Sequence, residues 1–173
     1  MPIHSIFALD AAITVHEELY GSFDNVSKHT TFLALKLYNE LSMLSHENGT
    51  RLCKVYKDPG STYGDATSQG PVVAFNLRNQ YSGWISNAEV EKLAAIKNIQ
   101  LRTGGLCNPG GVASSLGLAP WEMRDNFSAG QRCGNDNDII RAKPTGMLRV
   151  SLGAMSTLKD VSGIRKRNLI HVD

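Results

Sequence analysis

Cysteine is scarce: the 173 residues contain three, Cys53, Cys107 and Cys133, and no two of them stand as Cys-x-x-Cys. An odd number without paired spacing argues against a disulfide framework, and the missing pair argues against a zinc site. Long apolar runs are missing too, since nothing approaches the roughly 20 residues that a membrane-spanning helix needs. The N-terminus lacks the basic and apolar regions of a signal peptide, so the cytoplasm, where thiols stay reduced, is the expected compartment. Neither sign of charge dominates. Eighteen lysines and arginines against sixteen acids leave a net charge of +2, too little to argue for nucleic acid or an anionic membrane as partner. The five histidines, His4, His16, His29, His46 and His171, are scattered, and none is assigned to catalysis.

What is present reads as one ordinary globular domain of alternating helices and strands. Ile6, Leu9, Ile13 and Tyr20, with His16, follow three-to-four spacing, which predicts an amphipathic helix over 3–20. Asp24 is the expected N-cap of a second helix. Its apolar stripe runs Val26, Thr30, Leu33, Leu37, Leu41, Leu44 and stops at Asn48-Gly49. Strands are expected over 52–57, 72–77, 99–101 and 147–152, with an exposed polar loop over 60–70. Ser86-Asn87-Ala88-Glu89 reads as a capping box for a helix reaching about Lys97. Further helices are expected over 112–118, from Pro120, and after Thr157-x-x-Asp160, the last fraying into Arg165-Lys166-Arg167.

The segment with the most chemistry is Arg102-Thr103-Gly104-Gly105-Leu106-Cys107-Asn108-Pro109-Gly110-Gly111. Four glycines and a proline predict an irregular loop, and an arginine stands five residues before the thiol. A cysteine in such a loop reads either as a mobile nucleophile or as a small structural residue. Cys53, within a strand, reads as packing, and nothing local activates Cys133. Arg149 lies between Leu148 and Val150 in the last strand. It either seeks an anionic partner, because an unpaired buried charge is costly, or points to solvent on an alternating strand. Asn135-Asp136-Asn137-Asp138 lacks the glycine and terminal glutamate of a calcium loop and reads as a polar turn. No metal ligands are assigned.

The run Arg102-Thr103-Gly104-x-x-Cys107 resembles the persulfide-carrying loop of cysteine desulfurases in the class V aminotransferase superfamily. The fuller Leu101 to Gly110 run is more similar still to molybdenum cofactor sulfurases. So is the later series Asp136-Asn137-Asp138-Ile139-Ile140, Lys143-Pro144-Thr145-Gly146-Met147-Leu148-Arg149-Val150-Ser151-Leu152-Gly153 and Met155-Ser156-Thr157. The likeness extends upstream through Gly83-Trp84 and Asn76-Leu77-Arg78 to the first helix.

The resemblance implies an α/β fold: the C-terminal portion of a fold-type I pyridoxal-phosphate transferase, with a small sheet, flanking helices and two long leading helices. Residues 1–50 would then be a helical segment following the large domain, and 51–173 the small domain. It implies Cys107 as the catalytic sulfur acceptor, attacking L-cysteine bound as an aldimine to pyridoxal phosphate, whose ring is the electron sink. It implies Arg149 as the clamp on the substrate carboxylate, through the parallel hydrogen bonds of a guanidinium. Arg102 would either favour the reactive thiolate or bind substrate. The implied partners are L-cysteine, the molybdenum cofactor and its target hydroxylases, in a homodimeric full-length enzyme, with L-alanine released. No lysine here lies in a motif like that of the aldimine lysine, so none is assigned to the cofactor, and the isolated chain is expected to be inactive. Two other readings remain: a general cysteine desulfurase, and a non-catalytic interaction protein that keeps only the scaffold.

Overall fold

The computed structural model describes residues 2–132 and 135–166, the last three as backbone only. Cys133, Arg167 and His171, and the side chains of Arg165 and Lys166, lie outside the described residues. Two long helices, α1 (Ile3–Tyr20) and α2 (Phe23–Met43), lead into strands β1 (Cys53–Tyr56) and β2 (Val72–Leu77). Helix α3 (Asn87–Ile96), strand β3 (Arg102–Gly104) and helices α4 (Pro109–Leu116) and α5 (Pro120–Ser128) follow. A two-residue hairpin, β4 (Ile139–Ile140) with β5 (Lys143–Pro144), precedes β6 (Met147–Ser151) and α6 (Leu158–Lys166). The α/β expectation holds as a mixed layer of helices on a small sheet.

The sheet has the order β1-β2-β6-β3, and every neighbouring pair is antiparallel. Side chains alternate between faces along a strand. One face carries Cys53, Val73, Phe75, Leu77, Leu148 and Val150, which pack with Leu33, Ala34, Leu37 and Leu41 of α2, Val90 and Ala94 of α3, and Val161 of α6. Leu33, Leu37 and Leu41 are each 1% exposed or less, so the stripe read from the sequence is the main wall of the core. The opposite face carries Tyr56, Ala74 and Met147, against which Val112 and Leu116 of α4 and Leu106 pack.

Several local expectations need correction. Helix α2 is capped by Ser22, whose hydroxyl accepts from the Asn25 amide, with Asp24 inside its first turn. It also ends at Met43 rather than at Asn48-Gly49, because 44–51 folds into a tight turn closed by a Ser45–Arg51 bridge. The strand expected over 99–101 begins three residues later, at Arg102, where β6 supplies its hydrogen-bonding partners. The helix expected from Val112 begins at Pro109. Asn108 caps it by accepting from the Gly111 amide.

Helix α1 has the expected bounds but none of its residues is buried. Ile6, Leu9 and Ile13 of its apolar series are 40–62% exposed. Only His16 and Tyr20 are half-buried, and His16 stacks on Phe23 at a centroid distance of 4.2 Å.

Candidate functional site

The ten-residue cysteine segment is more ordered than its composition suggests. Its first three residues are strand β3, and its last three open α4. The irregular part is the turn Gly105-Leu106-Cys107-Asn108, closed by the Asn108 amide donating to the Gly105 carbonyl at 2.9 Å. Leu106 (φ 53°) and Cys107 (φ 58°) both occupy the left-handed region, as the central residues of a type I′ turn do. Left-handed backbone is costly for residues with a Cβ, so this turn holds its thiol in a conformation the local sequence would not choose.

The strand register decides what the thiol meets. Arg102 on β3 stands directly opposite Arg149 on β6, and Arg149 stands opposite Ala74 on β2. Ala74 in turn stands opposite Tyr56 on β1. Alternation therefore sets Tyr56, Ala74, Arg149 and Arg102 in one row across a single face of the sheet. Arg102 Nη2 donates to Cys107 Sγ at 3.1 Å, with the thiol itself exposed. The half-buried Arg149 has its Nε enclosed and without a hydrogen-bond partner. Neither arginine forms an ion pair among the described residues. Arg102 thus shares a row with Arg149 and bonds Cys107, and Arg149 is half-buried rather than simply pointing to solvent.

Tyr56 was not singled out from sequence. Its hydroxyl is buried and unpaired in the same row. Burial pushes its ionisation well up, the Arg78 guanidinium opposes this, and Cys53 adds to it. Only the alternation of 53–56 marks its face; no spacing pattern ties it to Cys107 or Arg149.

The surroundings fix this arrangement. Thr103 donates to Glu91 on α3 at 2.8 Å, tying β3 to the helix layer. Asn76 and Asn87, 0% and 2% exposed, both donate to the Gly146 carbonyl at the start of β6. The capping box at Ser86 is only half as read. Ser86 caps the Glu89 amide, but Asp138 reaches across to accept from the Ala88 amide and the Ser86 hydroxyl. The polar turn before it is held by Asn135 to Gly130, Asn137 to Ala129 and the Lys92–Asp136 ion pair. Asn135 to Asp138 is therefore a structural turn that anchors α3. Cys53 is core, and burial pushes its thiol up to about 12. His29 and His46 bond the carbonyls of Ser156 and Arg78.

Two guanidinium groups and a thiol can between them hold an anion and accept a sulfur atom, but none of the three can form the imine link that pyridoxal phosphate, implied by the resemblance, would need. Lys28, Lys92 and Lys143 are in ion pairs, Lys57 bonds the Asp58 and Ser61 carbonyls, and Lys36 and Lys54 lie over aromatic rings. None of these bonds Cys107, Arg102 or Arg149. No helix among the described residues is long and apolar enough to cross a membrane.

No family model matches the chain. Among curated proteins, it is 57% identical over 161 residues to the molybdenum cofactor sulfurase of Chaetomium globosum, a match covering 93% of this chain and 21% of that protein. The Aspergillus clavatus molybdenum cofactor sulfurase is 53% identical over 164 residues, covering 95% of this chain and 19% of its own length. The Neurospora crassa molybdenum cofactor sulfurase is 57% identical over 162 residues, covering 93% and 17%. The chain thus spans about a fifth of the length of these relatives. Identity above half over more than nine-tenths of this chain settles the kinship: the chain belongs to the molybdenum cofactor sulfurase family and corresponds to one segment of its members.

Proposed function

We propose that this chain supplies the sulfur-accepting thiol and the carboxylate clamp of a molybdenum cofactor sulfurase. L-cysteine would be the sulfur donor, and the molybdenum cofactor of target hydroxylases the final acceptor. The observation that carries this reading is the row Arg149–Arg102 with Cys107 bonded to its end. Arg149 holds the substrate carboxylate. An enclosed guanidinium nitrogen without a partner gains a charge-assisted bond when an anion arrives. Arg102 holds the sulfur of Cys107 and offers positive charge where negative charge develops on it. The Cys107 thiolate attacks the sulfur of bound L-cysteine: the persulfide S–S bond forms as the donor's Cβ–S bond breaks. The electron pair leaves with the carbon skeleton released as L-alanine, and the exposed turn hands the outer sulfur on. Pyridoxal phosphate, implied by the family, would be bound by parts of the longer relatives outside the matched fifth, in a homodimer in which residues 51–173 form the small domain and 1–50 the helices leading into it.

The test is peptide mapping of a full-length relative carrying this segment, after exposure to L-cysteine without an acceptor. The Cys107 peptide should gain the mass of one sulfur atom, and the Cys53 peptide should not. Sulfur on another cysteine, with Cys107 unmodified, would reject the assignment. A second reading, a non-catalytic interaction module, is favoured by a different observation: α1 exposes Ile3, Phe7, Leu9 and Leu19, each more than 60% accessible. A persulfide on Cys107 separates the two.

A further inference from the structure

A second cationic site lies beyond β1. The turn over 44–51 and the turn over 78–84 face each other across a cleft of about 350 Å³ lined by Thr50, Arg51, Cys53, Lys54, Arg78 and Ser82. That volume falls within the range of about 300–1,000 Å³ common for small-molecule sites. The lining holds three cations and no carboxylate, although acids are nearly as numerous as bases in the chain. None of the three forms an ion pair among the described residues.

The walls are built rather than incidental. His46 Nε2 donates to the Arg78 carbonyl at 2.8 Å, and Asn48 Nδ2 donates to the Gln80 carbonyl at 2.8 Å, so the two turns are bonded to each other. Asn79 closes its own turn by accepting from the Tyr81 and Gly83 amides. Arg51 is aimed by a bond to the Ser42 carbonyl, and the Arg78 guanidinium lies 4.0 Å from the centre of the Trp84 ring. Lys54 lies over the same ring at 5.9 Å. These contacts satisfy carbonyls and cover a ring but leave three positive charges uncompensated. Fixed, like-signed charges in a concave site focus potential on whatever enters. The Thr50 hydroxyl donates to the Gln80 carbonyl at 3.4 Å, which leaves the Ser82 hydroxyl as the wall's small donor for an oxygen acceptor.

We propose that this cleft binds a phosphate-sized dianion, either free or as the phosphate of a larger molecule, with Arg51, Lys54 and Arg78 as its donors. The lining of this cleft includes neither Cys107 nor Arg149, and the proposal does not depend on the sulfur-transfer reading.

Trp84 provides the readout. In a Trp121→Phe background of the 173-residue protein it is the single tryptophan. Inorganic phosphate, then pyrophosphate, is titrated at constant ionic strength while Trp84 fluorescence is followed, with chloride and acetate as controls and calorimetry as an independent measure. A saturable change is expected with phosphate and a tighter one with pyrophosphate, and none with the controls. Arg78→Gln and Arg51→Gln should each weaken binding by roughly ten- to a hundredfold, the loss of one charged hydrogen bond. Circular dichroism would check that the variants fold; both turns are held by backbone carbonyls and amides rather than by these guanidinium groups. Arg149→Gln should leave phosphate binding unchanged. An absent or non-saturable response overturns the proposal, as does binding lost in Arg149→Gln but kept in Arg78→Gln. Glycerol phosphate binding like phosphate would identify the ligand as a phosphate monoester, and phosphate alone binding would identify it as the free ion.

Discussion

Gly104 and Gly146 pack backbone against backbone: a Cβ built on Gly146 would lie 2.6 Å from the Gly104 Cα, nearer than real side chains approach. The contact joins β3, which carries the thiol turn, to β6, which carries Arg149. Because the clash is with backbone, no rotamer change relieves it. Gly146→Ala must spread the two strands and shift Cys107 relative to Arg149. Overpacking of this kind costs about 1–3 kcal/mol, or roughly 2–4 °C in Tm per kcal/mol for a chain of this size. Thermal unfolding measures that loss. In a full-length relative, sulfur loading of Cys107 should fall as well; a variant with wild-type Tm would show that the strands tolerate the side chain.

The two described cysteines should separate chemically. Cys107 is exposed, and Cys53 is buried with its thiol pushed up to about 12. Iodoacetamide at mildly alkaline pH should label the Cys107 peptide in the native protein and the Cys53 peptide only after unfolding. The Cys53 shift also gives stability a pH dependence. Between about pH 9 and 12 the unfolded chain loses this proton while the folded chain keeps it. The unfolded state then binds fewer protons, and stability falls as pH rises through that window. Cys53→Ala should flatten this part of the profile in denaturant titrations, whatever its effect on stability at neutral pH.

Helix α1 should make the protein associate. It exposes Ile3, Phe7, Leu9 and Leu19, Phe23 just after it is 56% exposed, and large exposed apolar patches are uncommon on monomers. Sedimentation should show concentration-dependent oligomers that the double variant Phe7→Asp, Leu19→Asp disperses. A monomer at all concentrations would mean that the stacking of His16 on Phe23 closes the surface well enough.

Charge and geometry should come apart at Arg149. In a full-length relative, Arg149→Lys keeps the charge but loses the two-pronged donor, so L-cysteine should bind more weakly by roughly ten- to a hundredfold. Cys107→Ser should leave L-cysteine binding nearly unchanged while abolishing sulfur transfer. Unaltered binding in Arg149→Lys would remove the clamp assignment and make Arg102 the next candidate.

No alanine is expected from L-cysteine with the 173 residues alone, even with added pyridoxal phosphate, because no lysine here lies in a motif like that of the aldimine lysine, and Lys28, Lys92 and Lys143 are engaged in ion pairs. An amino-acid assay decides this, and turnover that depends on Cys107 would show that a cofactor seat has been overlooked.

The sequence by itself determined the elements whose signals are local. The Leu33, Leu37, Leu41 stripe specified one face of α2, Ser86 and Thr157 marked helix starts, and the strand-forming runs over 72–77 and 147–152 marked the central strands. Cys107 and Arg149 were singled out in the sequence too, through the resemblance carried by their flanking residues, and the roles proposed for them rest on it. Only the tertiary structure decided the rest. The thiol segment is rich in glycine and proline, so local preference reads it as a loop; pairing with β6 turns 102–104 into a strand, and Asn108 turns 109–116 into a helix. The exposure of α1 follows from which surfaces found partners, which periodicity cannot state. The row from Tyr56 to Arg102 depends on register between strands far apart in sequence, and so does the meeting of Gly104 with Gly146. A shift of one residue would carry every side chain of a strand to the other face. Hydrophobic burial on the α2 side fixes that register, and by fixing it places Arg149 and Arg102 together beside Cys107.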